Sequence, residues 1–198
     1  VMSVSDLSYV SDAGRTMLRD VSFNVYAGEV LGVAGVEGNG QTELVEVLTG
    51  LRPAASGEAR VEEKNVINQS PREVRMAGVA HIPEDRLTNG LALRASIDEN
   101  FIVDRYFDPP FHKGIVINYN EVESFGKEMI KEFDIRTPNG QLPVSSLSGG
   151  NMQKVIVARE FSSNPKMLIA AQPTRGIDVG ATEFIREKLV QKRTDGRS

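Results

Sequence analysis

Gly35-Val36-Glu37-Gly38-Asn39-Gly40-Gln41-Thr42 is a glycine loop between an apolar run and a helix-forming run. It matches the phosphate-cradling pattern G-x-x-x-x-G-K-[ST] everywhere except at the lysine. Glycines let backbone N–H groups curl around an anion. The helix expected over residues 41–49 aims its positive end at the same point. The candidate contacts are Gly35, Glu37, Gly38, Asn39, Gly40, Gln41 and Thr42, with the Thr42 hydroxyl offered to Mg²⁺. Gln41 stands where a lysine would touch the outer phosphates; it is neutral but still donates a hydrogen bond. A charged hydrogen bond contributes about 1.5–3 kcal/mol against about 1 kcal/mol for a neutral one. Nucleotide binding is therefore expected to be weakened and not abolished. On these residues alone, a tight strand-to-helix turn that binds nothing is an equal alternative.

Working outward, the first third of the chain reads as strands over residues 3–10 and 17–26, split by the turn-prone Ser11-Asp12-Ala13-Gly14. A strand is expected over 29–34, immediately before the glycine loop. Further strands are expected over 58–66 and 78–82, with a short helix over 71–76 that has proline at its start. In the middle third, Val122, Phe125, Met129, Ile130 and Phe133 lie on one face of an amphipathic helix with Asn120 as candidate N-cap. Residues 96–161 read as a mainly helical insertion. The last third returns to a buried strand at 167–171, a loop at 173–180 and a helix at 181–192. An α/β sheet would continue past that helix, so the chain reads as C-terminally truncated.

The chain has 198 residues, 40 % hydrophobic and 25 % charged, which suits one globular domain with an inserted subdomain. Lys+Arg is 23 against Asp+Glu 27, a net charge of −4. That balance gives no global attraction to nucleic acid and leaves only a local basic patch for such a partner. The absence of cysteine excludes disulfides, thiolate nucleophiles and Cys-ligated zinc. No apolar run approaches the roughly 20 residues needed to span a bilayer, so work at a membrane would require docking.

Two more segments carry chemistry. Leu147-Ser148-Gly149-Gly150-Asn151-Met152-Gln153-Lys154 opens a helix with a serine and two glycines, an anion seat more specific than a cap requires. Lys166-Met167-Leu168-Ile169-Ala170-Ala171-Gln172-Pro173-Thr174-Arg175-Gly176-Ile177-Asp178 follows closely. With these, essentially the whole chain resembles the nucleotide-binding domain of an ABC transporter. Leu147-Ser148-Gly149-Gly150-Asn151 is similar to the family's LSGGQ signature, and 168–174 to its Walker B strand. Gly176-Ile177-Asp178 is similar to the D-loop, and Pro83-Glu84-Asp85-Arg86 to the Q-loop with Glu84 in place of glutamine. The resemblance offers Tyr9 as an adenine-stacking aromatic, with an ordinary strand tyrosine as the alternative. Within the family the chain looks most like the C-terminal nucleotide-binding domain of tandem simple-sugar and nucleoside importer ATPases, nucleoside branch preferred.

That resemblance implies a P-loop NTPase-type α/β fold with an N-terminal antiparallel β region. It divides the chain into an ATP-binding core (1–95 and 162–198) and a helical signature subdomain (96–161). It implies ATP and Mg²⁺ as cofactors. The implied partners are a second nucleotide-binding domain, membrane permease subunits and, indirectly, a substrate-binding protein, at the cytoplasmic face of the cell membrane. The Walker B aspartate would fall on Ala171 and the water-activating glutamate on Gln172; neither His81 nor His112 holds the switch-histidine place. An amide positions water but accepts no proton, and a well-placed general base is worth about 10²–10⁴-fold. The expectation is a poor catalyst on this Walker face, with Ser148, Gly149, Gly150 and Asn151 completing a partner's site. A catalytically silent regulatory or scaffolding domain, or a soluble non-transport ABC ATPase, is the alternative. The latter would show long coiled-coil insertions or a basic surface, and neither is visible; a small-molecule kinase or GTPase would lack the Leu-Ser-Gly-Gly run.

Overall fold

A computed structural model describes residues 1–194. The chain divides into two compact units, one of Val1–His81, Asn164–Ala171 and 188–194, the other of Ile82–Ser163 and Gln172–Glu187. The expected ending of the chain at Asp195-Gly196-Arg197-Ser198 lies outside the described residues.

The first unit is built on a four-stranded antiparallel sheet. Strand β1 (Met2–Val10) pairs with β2 (Thr16–Val25) on one edge and with β3 (Ser56–Val61) on the other, and β4 (Lys64–Asn65) closes a hairpin onto β3. The strand expected over 58–66 is thus two strands, because Glu62 takes a positive φ of 54° and reverses the chain. Met2, Val4, Leu7 and Tyr9 of β1 are buried, and they pack in one core with Val47 and Leu48 of helix α1 (Gln41–Leu48), Val74 of α2 (Pro71–Met76) and Val79 of β5 (Val79–Ile82). Ser70 and Glu73 form a reciprocal capping box at the start of α2. β5 pairs with β8 (Met167–Ala170) in a separate two-stranded sheet.

The strand expected over 29–34 does not form. Its N–H and C=O groups need a neighbouring strand, and no sheet among the described residues includes this run. Val30 is 69 % and Val36 74 % exposed, with Leu31 and Val33 also open to solvent.

The second unit is mainly helical, as expected, around α3 (Ile97–Ile102), α4 (Tyr119–Glu132) and α5 (Gly149–Ser162), with the first half of α6 (Val179–Thr194). It also holds a two-residue hairpin, β6 (His112–Lys113) with β7 (Val116–Ile117), which the helical pattern did not announce. Val122, Met129 and Phe133 are buried along α4, and Phe125 meets Phe101 and Phe111 edge-on. The N-cap position falls on Asn118, not Asn120, and its side chain makes no cap hydrogen bond. Nearly every residue of α5 is buried, including the pair Arg159 Nε to Glu160 Oε1 at 2.8 Å, with Arg159 Nη1 also donating to Gly90 O at 2.9 Å.

Candidate functional site

Ser148 is the N-cap of α5. Its exposed Oγ accepts from Asn151 N at 3.4 Å and Asn151 Nδ2 at 3.0 Å, and Asn151 Oδ1 accepts from Arg136 N at 2.9 Å. The two glycines answer to close packing. A Cβ on Gly150 would lie 2.7 Å from Asp178 Oδ2 and 2.9 Å from Ala181 Cβ. A Cβ on Gly149 would lie 3.0 Å from Arg86 Nη2. Asp178 Oδ1 accepts from Ala181 N at 2.9 Å, and that N–H holds the Asp178 carboxyl below its usual range.

Around this tip the second unit ties three motif segments together. Glu84 Oε1 accepts from Gln172 Nε2 at 2.8 Å and forms an ion pair with Arg175. Arg86 donates to the carbonyls of Arg175 at 3.0 Å and Gly176 at 3.2 Å. Asp85 receives the Thr88 hydroxyl and the N–H groups of Leu87 and Thr88, and these donors, Thr88 first, hold its carboxyl below the usual range. Gln172 sits at φ 45°, a left-handed backbone rare outside glycine and recurrent at functional sites. Its amide nitrogen is committed to Glu84, which leaves its oxygen to accept from a water.

In the first unit the glycine loop is open to solvent. Gly38 and Gly40 take φ of 86° and 98°, and a Cβ on Gly40 would lie 2.6 Å from Met17 O. Gly40 is the N-cap of helix α1 and no side chain caps its first N–H groups, which leaves them available to an anion. Gln41 folds back over Gly35 and donates to Val36 O at 3.3 Å. Thr42, Glu37 and Asn39 are exposed. Tyr9 is a correction. It is 5 % exposed, its ring lies under the Arg52 guanidinium at 5.7 Å, and its hydroxyl accepts from Arg52 Nη1 at 3.0 Å. A strand tyrosine packed inward offers adenine no free face.

Residues 18–175 match the family model described as ABC transporter (ABC_tran). The chain belongs to the ABC transporter family. It is 43 % identical over its whole length to the nucleoside import ATP-binding protein NupA of Lactococcus lactis subsp. cremoris, of which it covers 39 %. It is 42 % identical to the guanosine import ATP-binding protein NupO of Bacillus subtilis, again covering 39 %. It is 40 % identical over 99 % of its length to the glucose import ATP-binding protein TsgD13 of Haloferax volcanii, covering 36 %. The chain thus spans well under half the length of these relatives. Among solved structures, a dimeric ATP-binding cassette in a post-hydrolysis state bound to ADP and Pi superposes with a TM-score of 0.82. That match is at 20 % identity and covers all of this chain and 85 % of that one. A nucleotide-free cassette from an ABC transporter gives a TM-score of 0.77 at 22 % identity, covering all of this chain and 78 % of that one. These likenesses show the ABC ATPase fold.

The residues of this ABC domain fit the two halves of Mg-ATP unequally. The loop and the uncapped start of α1 suit a phosphate. For Mg²⁺ the loop would offer the Thr42 hydroxyl, while Ala171 carries no oxygen on its side chain. No group of three His, Cys, Asp or Glu able to hold a metal exists among the described residues. Sequence reasoning passed over Arg175 as a tie to Glu84; the signal was a charge on each of two quoted motifs, but only folding brings them within reach. No helix of the described residues is long and apolar enough to cross a membrane.

Proposed function

We propose that this chain is one of two nucleotide-binding domains of an importer for nucleosides, with simple sugars as the second substrate class, and that its two faces have unequal work. Its own glycine loop binds the triphosphate of ATP weakly and hydrolyses it slowly or not at all. Its signature, Ser148 to Asn151, completes the competent site of the companion domain, the pair meeting head to tail. The core of residues 1–95 and 162–198 carries the loop, and 96–161 carries the signature. Closure on ATP would be passed through the helical subdomain and the Glu84 segment to permease subunits at the cytoplasmic membrane face, fed by a substrate-binding protein.

One observation carries this reading: Ser148 stands exposed at the N-cap of α5, ahead of Gly149 and Gly150, on a chain that has Gln41, Ala171 and Gln172 where phosphate chemistry needs a lysine and two carboxylates. The relatives named for nucleoside and guanosine import support the substrate class. At Gln172 the amide orients a water but takes no proton, so water stays a poor nucleophile there. The test is ATPase activity of the complete polypeptide with Ser148→Arg, which should fall by more than about tenfold; unchanged turnover sinks the cross-site role. Hydrolysis by the 198-residue chain alone at the rate of the complete protein would sink the quiet-site role.

A silent scaffolding domain is the second reading, favoured by Gln41 lying across Gly35. Calorimetry with Mg-ATP separates the two, since heat of binding is expected only in the first.

A further inference from the structure

Away from the motifs, in the helical unit, a cavity of about 330 Å³ is lined by Asp98, Glu99, Tyr119, Val122, Glu123 and Gln141 among others. Asp98 is 6 % exposed, and among the described residues its carboxylate makes no hydrogen bond; Oδ1 is sealed off entirely. Buried carboxylates are ordinarily paired, because an unpaired one forfeits its hydration. The fold makes deliberate room for this one. A Cβ on either Gly126 or Gly140 would overlap its carboxyl group, so two glycines stand where side chains would displace it.

The neighbouring charges leave it uncompensated. Lys127 is committed to Glu123 at 2.7 Å. Glu99 is committed to the α3 capping box, accepting from Ser96 N at 2.8 Å and Ser96 Oγ at 2.9 Å. Burial first, then the Glu123 and Glu99 charges, push the Asp98 carboxyl up to about 6, with Lys127 pulling the other way. At neutral pH it is mainly ionised. Among the described residues no set of three metal-ligating side chains surrounds it, so a metal ion is a poor complement. Val122 and Tyr119 give the lining its apolar surface.

We propose that this cavity binds an alkylguanidinium or alkylammonium group, its cationic head on the Asp98 and Glu123 carboxylates and its aliphatic stem along Val122 and Tyr119. The inference is independent of the nucleotide reading, because it uses none of the loop, signature or Walker residues. The head would bring charge and donors to Asp98 Oδ2, the carboxylate oxygen that is not sealed off, and the volume lies at the small end of ligand sites.

The 198-residue chain is titrated at pH 7.5 with agmatine, with N-acetyl-arginine N-methylamide, and with uncharged N-butylurea, read by calorimetry and by amide shifts. Agmatine is expected to bind and shift the amides of Asp98, Val122 and Glu123, while butylurea does not. Affinity is expected to fall by about tenfold or more in Asp98→Asn, at pH 5 in the unmodified chain, and by a smaller factor in Glu123→Gln. Circular dichroism checks that Asp98→Asn is folded; if it is not, the pH 5 arm and the Glu123→Gln variant, at a half-buried position, carry the test. Equal binding of both cations assigns the pocket to an arginine side chain presented by another chain; preference for agmatine assigns it to a free cation. No binding of either cation at pH 7.5, or binding indifferent to Asp98→Asn, to Glu123→Gln and to pH, overturns the proposal.

Discussion

Gln41, Gly150 and Asp98 each make a measurable prediction. Gln41→Lys replaces a neutral donor with a charged one at the phosphate loop. The difference of about 1–2 kcal/mol should tighten Mg-ATP binding by about tenfold in calorimetry, and no change would show that the loop is not the nucleotide seat. Gly150→Ala drives a Cβ to 2.7 Å from Asp178 Oδ2. A cost of about 1–3 kcal/mol is expected, seen as a lower urea midpoint. Asp98 adds a pH dependence. Its folded value is raised from 3.8 to about 6, so the folded state binds the proton more tightly than the unfolded one. The cost of its buried charge is absent below pH 3.8, grows between there and about 6, and is complete above that. The shift bounds this cost at about 3 kcal/mol. Asp98→Asn should therefore stabilise the chain at pH 7.5 and flatten its stability between pH 4 and 6 in denaturant titrations.

At the scale of elements, α5 joins function to core. Its N-terminus presents Ser148 to solvent, while its body buries Arg159 against Glu160. Glu160→Ala would leave the guanidinium its hydrogen bond to Gly90 O and no ion-pair partner among the described residues, at a cost of about 3–5 kcal/mol. A thermal shift under a degree would refute that pairing. Helix α3 begins at a complete capping box of Ser96 and Glu99. Ser96→Ala should cost about 1 kcal/mol, measured by the same melts. Elements of this kind were legible in the sequence because their signals are local: proline for α2, an amphipathic period for α4, a Ser-Gly-Gly start for α5. The bend at Glu62 and the 112–117 hairpin were not, since neither a positive φ at a glutamate nor a two-residue pairing leaves a periodic trace.

Across the whole molecule, the run at 29–36 shows where local reasoning stops. Its composition is that of a buried strand, yet Val30, Leu31, Val33 and Val36 face solvent. Exposed apolar surface of this kind recruits dyes and neighbouring molecules. The 198-residue chain should raise the fluorescence of an apolar-surface dye, and Val30→Glu with Val33→Glu should lower it; an unchanged signal would mean that the run is covered in solution. The motifs and their order follow from residue identity, because phosphate, metal and proton chemistry depend on which groups are present. Whether Tyr9 stacks outward or inward, whether Arg175 reaches Glu84, whether Asp98 finds a partner and whether an apolar run becomes a strand depend on what lies beside each one. Those neighbours come from distant parts of the chain, and only packing brings them together.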